Sequence, residues 1–270
     1  MAVELRFHGA IEAPTVVPEY VEICLVIDGN TNCIVRRTIG GKQQEAAART
    51  GTIWLSPAGV GKDIGISSAI PQTMHLYLPV ALFDRLKDDF NLTGPLGQTI
   101  HHAAGITDDV IYEIGRSILS ELTAGSSASR MYAETASLTI AARLLQKHSD
   151  DRPAVPTEAL NHGLDRARLR RVLEHIAAHI GDDITLAQLA ETAGYSPFHF
   201  ARKFTVTMGV PPHRYISRVR LKNAKAELAA GNVPLAQIAL NAHFSSQASF
   251  TRAFRRATAM TPTEYRRRRN

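Results

Sequence analysis

Arg202 and Arg252 stand in the same local setting fifty residues apart, and that setting suits both to reading base pairs. Each is flanked two residues before and two after by phenylalanine: Phe200 and Phe204 around the first, Phe250 and Phe254 around the second. Positions four apart share one face of a helix, so each aromatic pair makes a core face. The arginine between them lies about 200° from each at ~100° per residue, and must point away from that core. An outward arginine on a helix is suited to bidentate hydrogen bonds with guanine O6 and N7. One such arginine would read as an ordinary solvated residue, but its recurrence in a second copy argues for function.

The recurrence extends well beyond the arginines. Leu186, Ala187, Gln188, Ala190, Ala193 and Ser196 return 49 residues later as Leu235, Ala236, Gln237, Ala239, Ala242 and Ser245. After one inserted residue, Phe200, Arg202, Phe204, Pro212 and Tyr215 return 50 residues later as Phe250, Arg252, Phe254, Pro262 and Tyr265. A duplicated segment of this length is one supersecondary unit used twice. Each copy predicts helix, tight turn, helix. In the first, Thr185 caps the leading helix, Gly194 makes the turn, and Ser196 caps the next helix with Pro197 at its first position. Ahead of it, Leu169, Val172, Leu173, Ile176 and Ile180 mark an amphipathic helix ending near Gly181. Between the copies runs PHRYISRVRLKNAKAELAA (212–230), with no glycine or proline after its first residue. As one helix its nineteen residues span about 28 Å, close to the ~34 Å between successive major-groove faces of a duplex.

Charge divides the chain at the same place. From Leu164 onward there are 18 Lys/Arg against 7 Asp/Glu, and from Met1 to Gly163 there are 13 against 18. The basic part would be drawn to polyanions with a steep salt dependence, and the acidic part repelled by them. At 270 residues the chain has room for two domains. No apolar run is long enough for a membrane span, and the first residues lack the basic and apolar regions of a secretory signal. Cys24 and Cys33 have no metal-ligand spacing, and two cysteines give no disulfide framework, which suits a reducing cytoplasm.

The acidic part predicts a β-rich domain over 1–105, with its clearest strands at 21–28, 33–39, 52–56 and 74–80, which suggests a barrel or a sandwich. Two amphipathic helices over 106–148 follow. One carries Ile111, Ile114, Ile118, Leu119 and Leu122, starts at Thr107 as N-cap and ends at Gly125; the other carries Leu138, Ala141, Leu144 and Leu145. Their apolar stripes either cover the β-domain or pair with a second subunit. Polar, proline-containing 149–163 reads as a linker.

Enzymatic alternatives fare poorly. Gly59-Val60-Gly61-Lys62 lacks the glycine and the Ser/Thr of a phosphate loop, having Ser56 and Asp63 at those places. His175 and His179 share a helix face but have no evident third ligand. His8 and His75 lack the clustered spacing of a metal-dependent cupin enzyme. No catalytic residue, metal or cofactor is expected.

The pattern LxxIAxxAxxSxxxFxRxFxxxxGxxPxxY, then Arg220, Leu221, Ala224 and Leu228 on a long helix, then a weaker second copy, resembles the AraC/XylS family of bacterial transcription regulators. The resemblance covers Leu164 to Arg268. It implies an α+β chain: an N-terminal cupin-like β-barrel with dimerisation helices, then an all-α domain (164–270) with two helix-turn-helix units joined by a long helix. It implies base-reading positions at Phe198, Ala201, Arg202, Gln247, Ser249, Thr251 and Arg252. Lys203, Arg255, Arg256 and the tail arginines, Arg266 and Arg267 among them, are then phosphate contacts, which position without specifying. Trp54, His75 and Tyr77 are the candidates for an effector site. The partners expected are double-stranded DNA, a small-molecule effector, a second copy of the chain and RNA polymerase, in a bacterial cytoplasm. Control by a protein partner, or no control at all, is the alternative to a small effector. Two departures stand out: His243 occupies the second turn where the family usually has glycine, and Ala259 stands where Gly209 would repeat.

Overall fold

The computed structural model describes residues 1–39, 41–90, 100–124, 128–149, 162–231 and 233–269. The linker expected over 149–163 lies almost wholly outside them, as does Gly125. The chain forms two compact units, Met1–Ser117 with Ala136–Val155, and Ile118–Thr135 with Pro156–Asn270. No helix among the described residues is long and apolar enough to cross a membrane.

The first unit is built on two antiparallel sheets. Its strands are β1 (Ala2–His8), β2 (Ile11–Val16), β3 (Val21–Asp28), β4 (Asn30–Ile39), β5 (Lys42–Ala48), β6 (Ile53–Ser56), β7 (Lys62–Ile66), β8 (Ile70–Leu78) and β9 (Ala103–Ile106). One sheet has the order β1-β8-β3-β6-β9 and the other β2-β7-β4-β5. Among the described residues no hydrogen-bonded ladder joins them, so the closed barrel expected above is corrected to a two-sheet sandwich. Two short helices follow β8, α1 (Val80–Asp84) and α2 (Lys87–Phe90).

Strand β3, at the centre of the longer sheet, is buried on both faces from Val21 to Val26, which is why VEICLVID reads as an apolar run broken by one glutamate. Val21, Ile23 and Leu25 point to one side with Ile53, Leu55, Met74, Leu76 and Leu78, all fully or nearly fully buried. Helix α3 (Asp109–Ala124) closes that side: a Cβ on Gly115 would stand 2.6 Å from Leu25 and 3.6 Å from the Met74 sulfur. Asp108, not Thr107, caps α3, its carboxylate accepting from the Val110 and Ile111 N–H groups at 3.0 and 3.1 Å. The same carboxylate receives Arg143 Nε at 2.8 Å from α4 (Ser129–Lys147). Ile111 and Ile118 on α3, and Leu138, Ala141, Leu144 and Leu145 on α4, are buried within the chain. Ile114 and Leu119 of the same α3 stripe are half-buried.

The other side of the sheet faces into the sandwich, and its chemistry changes along the strands. At one end Cys24, Val26, Trp54 and Ile70 pack with Cys33, Val35, Ala48 and Ile66 of the second sheet. At the other end the interior is charged. Glu22 lies between two cations, with His75 Nδ1 at 2.8 Å from one oxygen and the Lys62 ammonium on the other. Lys62 also donates to Ser56 Oγ at 2.8 Å. Burial works against charge on both members of the Glu22–His75 pair. Mutual pairing overcomes it, with Lys62 helping Glu22 and the Cys24 sulfur helping His75. The carboxyl is held far below the usual range, and the imidazole is raised to about 9. His8 stands beyond it, ring nitrogen to ring nitrogen at 3.0 Å; burial and then the His75 charge push its imidazole below the usual range.

The second unit is helical. Its first half holds α5 (Arg166–Ala178), α6 (Leu186–Ala193) and α7 (Pro197–Met208). One helix, α8 (Pro212–Ala230), leads to α9 (Leu235–Asn241), α10 (Gln247–Thr258) and α11 (Pro262–Arg269). Thr185 caps α6 in a full capping box with Gln188, whereas Pro234 at the equivalent position of the second copy offers no side-chain cap. Gly194 and Gly209 end α6 and α7 with φ of 69° and 68°. His243 and Ala259, at the corresponding turns, are forced into the same left-handed region, with φ of 58° and 61°. The serine that caps α10 is Ser246, its Oγ accepting from Ser249 N at 3.1 Å. The inserted residue therefore falls before Ser246, and the cap is not Ser245 as the alignment suggested.

Two measurements test these features. Left-handed backbone costs an L-residue roughly 1–2 kcal/mol and glycine almost nothing, while glycine loses about 0.5–1 kcal/mol of that gain to chain entropy. Ala259→Gly should therefore stabilise the protein to denaturant by about 0.5–1 kcal/mol; a loss of stability would show the turn to be unstrained. The second test is pH. His75 has its folded pKa above the unfolded value of about 6.5, so its contribution is fully present below that pH and is lost as pH rises through about 9. Glu22, depressed, stays ionised across this window. The chain has one tryptophan, Trp54, in this unit. Its fluorescence should report an unfolding midpoint that falls between pH 6.5 and 9 in the wild type and is flatter in His75→Gln.

Candidate nucleic-acid interface

Each helix-turn-helix unit anchors its second helix through stacked aromatics. On α7, Phe200 and Phe204 are fully buried with ring centroids 5.6 Å apart, and Phe204 meets Tyr215 of α8 edge-on at 5.7 Å. On α10, Phe250 and Phe254 repeat this at 5.5 Å, and Phe254 meets Tyr265 of α11 at 5.3 Å. With these faces inward, Arg202 and Arg252 are exposed on the opposite faces. Arg220 of α8, 4% exposed, donates from Nε to the Ile180 carbonyl at 3.1 Å and from Nη2 to that of Asp182. It thereby ties the loop between α5 and α6 to the connecting helix.

The remaining expected positions divide. Gln247 is exposed at the start of α10, and Phe198 and Thr251 are half-buried. Thr251 donates its hydroxyl to the Gln247 carbonyl at 2.8 Å. Ala201 and Ser249 are buried, at 8% and 5% exposure, and fall away from the exposed set. Ser249 has a different place: its Oγ accepts from Arg252 Nη2 at 3.1 Å, holding the guanidinium against the helix start. Nothing in the residue spacing showed this hydrogen bond.

Among the expected phosphate contacts, Arg255, Arg256 and Arg267 are exposed. Lys203 is half-buried, donating to the His162 carbonyl at 3.0 Å and lying 5.3 Å over the Tyr195 ring. Arg266 is half-buried and donates to the Val233 carbonyl, which fastens α11 to the start of α9. Two arginines missed in the sequence join the group. Arg214 and Arg218 of α8, with Arg252 and Arg256 of α10, line a cleft of about 420 Å³. Both pairs are spaced i, i+4, a signal passed over because α8 reads first as a spacer. The paired histidines His175 and His179 stack at 4.3 Å, and no cluster of metal-ligating residues occurs among the described residues.

In the first unit, Trp54, His75 and Tyr77 all lie on the inward face of the longer sheet. Cys24 of β3 pairs with both Trp54 and His75, and Glu22 with both Ser56 and Tyr77, so they form two adjacent rows across β8, β3 and β6. Glu22, Arg37, Ser56 and Lys62 belong to the same interior and were missed. Their signal is a polar residue among the otherwise apolar inward positions of its strand, legible only once the inward face is known.

Comparison with known proteins agrees with this construction. A family described as a helix-turn-helix domain matches residues 189–268. An uncharacterized HTH-type transcriptional regulator of Staphylococcus aureus strain COL is 36% identical over 103 residues, covering 38% of this chain and 14% of that protein. The "Probable transcriptional regulator LumQ" of Photobacterium leiognathi is 41% identical over 100 residues, 36% of this chain and 40% of that one. The chain thus spans well under half the length of these relatives. A solved transcriptional regulator with an AraC-type DNA-binding domain from Chromobacterium violaceum is 27% identical, covering 38% of this chain and 93% of that one, with a TM-score of 0.37. Two like-built helix-turn-helix units on one connecting helix, matched across both by that family, make the C-terminal module of this chain a helix-turn-helix DNA-binding domain similar to those of AraC-type transcription regulators.

Proposed function

We propose that this chain is a sequence-specific DNA-binding transcription regulator whose two recognition helices, α7 and α10, enter successive major grooves on one side of a duplex. The observation that carries this reading is the matched exposure of Arg202 and Arg252 on two like-built helices held by a single nineteen-residue helix. In this reading Arg202, Arg252 and Gln247 address base edges, with Phe198 and Thr251 offering apolar contact to a thymine methyl. Arg255, Arg256, Arg267 and Lys203 address phosphates, joined by Arg214 and Arg218 along the connecting helix. Ser249 sets the Arg252 guanidinium before DNA arrives, which lowers the ordering cost of the contact.

The N-terminal sandwich is, on the same proposal, the sensing part, and a small molecule held in it shifts how the module meets DNA. Linkage then requires that a ligand which tightens DNA binding itself binds more tightly when DNA is present. RNA polymerase and a second copy of the chain, paired along the stripe of α3 or of α4, are the protein partners that accompany this role in a bacterial cytoplasm.

Sequence selection from random duplexes, followed by gel-shift titration, tests the assignment. Arg202→Ala and Arg252→Ala should each cost about 1–3 kcal/mol at the selected site and relax preference at one base pair. Arg256→Ala should weaken all sequences alike and lower the salt slope by about 1. Inserting about 5 bp between the two half-sites turns one of them roughly half a helical turn away, and should reduce affinity to that of a single half-site. Uniform weakening by Arg202→Ala, or indifference to the insertion, would overturn the two-groove reading.

A further inference from the structure

Inside the sandwich one guanidinium has no counter-charge. Arg37 of β4 is 4% exposed. Its Nη1 donates to Ser56 Oγ at 3.0 Å, while its Nε is buried without a hydrogen-bond partner among the described residues. No carboxylate of the described residues lies within ion-pair distance of it. It sits 5.7 Å from the ring centre of Trp54, whose Nε1–H is likewise buried and unpartnered. Ser56 also accepts from Lys62, and Lys62 shares Glu22 with His75. One carboxylate therefore answers three cations.

A structural polar network would satisfy its donors, because a buried charge left without partners costs far more than one bond to a serine returns. Here the shortfall is all of one sign. His102, half-buried beside the cluster, senses it: burial first, then the charges of Arg37 and Lys62, depress its imidazole to about 4. Its Nε2 is also without a partner among the described residues. These groups adjoin the apolar core of the sandwich, to which Val35, Trp54 and Ile66 belong, with half-buried Ile64 packed against it.

We propose that Arg37 is the anchor for the carboxylate of a small organic effector, held on the guanidinium's Nε edge with the Trp54 N–H alongside. Ser56 occupies Nη1 and leaves that edge free, and a planar two-oxygen anion matches it. The effector's apolar part lies on Val35, Ile64 and Ile66. An organic carboxylate suits these neighbours better than phosphate, which would have to shed more of its hydration against apolar side chains. The inference rests on the reading of the sandwich as the sensing part and gives that site its ligand class.

The test uses the full chain and matched probes: benzoate against benzamide, hexanoate against hexanamide, and inorganic phosphate, each at millimolar concentration. Thermal shift and calorimetry should show binding of at least one carboxylate, with its amide about 10-fold weaker or worse, the effect of losing a charge-assisted contact. Arg37→Gln should abolish that preference while leaving the ligand-free melting temperature unchanged or raised, since it removes an unpaired buried charge. Arg37→Lys, which keeps the charge and loses the fork, should bind carboxylate more weakly than wild type and serves if the glutamine variant does not fold. Amides binding as well as carboxylates would overturn the anchor while the sandwich remained a small-molecule site. Phosphate binding without carboxylate binding, no binding by any probe, or carboxylate binding indifferent to both substitutions would overturn it as well. A carboxylate that binds through Arg37 yet leaves DNA affinity unchanged would uphold the anchor and overturn the sensing role.

Discussion

Phe204 against Tyr215, and Phe254 against Tyr265, are the contacts on which the helical unit depends. Each locks the recognition helix of one copy to the helix that follows it, and each buries an aromatic pair that leaves one helix face for solvent. Orientation and exposure of Arg202 and Arg252 follow from that packing, not from anything the arginines do themselves. Because the first Phe–Tyr contact ends on α8, and Ala224 and Leu228 of α8 enter the core of the second copy with Phe250 and Phe254, the connecting helix is a structural member of both halves. A helix that is part of two cores transmits position between them as a rigid rod.

The two copies are alike in plan and unequal in quality. The first has a capping box at Thr185 and glycines at both left-handed turns; the second has Pro234 without a side-chain cap, and His243 and Ala259 where glycine would be free of backbone strain. Each difference lowers the stability of the second copy by an amount comparable to one cap or one strained residue, about 1 kcal/mol. Local opening would then favour the second unit over the first. Set against this, Arg252 is held by Ser249 through a hydrogen bond within its own helix, a local constraint that does not depend on the turn.

The sandwich obeys a different constraint. Its longer sheet is covered on one side by helix and on the other by the second sheet, so every residue of β3 from Val21 to Val26 is buried and a charged side chain there has nowhere to go but inward. Glu22 is stabilised as a carboxylate by Lys62 and His75, and that arrangement leaves Arg37 without an acid of its own. One interior thus has a charged end and an apolar end.

Much of the helical unit is legible in the residues alone, because local signals suffice for it. Duplication, the i, i+4 phenylalanines, Gly194, Ser196 with Pro197, and a breaker-free 212–230 each act within a turn or two of helix, and α8 begins and ends where that breaker-free stretch does. Helix caps shifted by one residue, at Asp108 and Ser246, because neighbouring serines, threonines and aspartates are interchangeable to spacing and are distinguished only by backbone geometry. Burial of Ala201 and Ser249, the engagement of Arg266 with Val233, and the burial of Ile111, Ile118, Leu144 and Leu145 on the α3 and α4 stripes were decided by tertiary packing, since an apolar stripe looks the same whether it meets its own sheet or another chain. The sandwich interior was decided there too. Strand alternation shows that residues take two sides but not which side is inward, so Glu22, Arg37, Ser56, Lys62 and His75, drawn from five strands, become one charged cluster only when the two sheets are laid together.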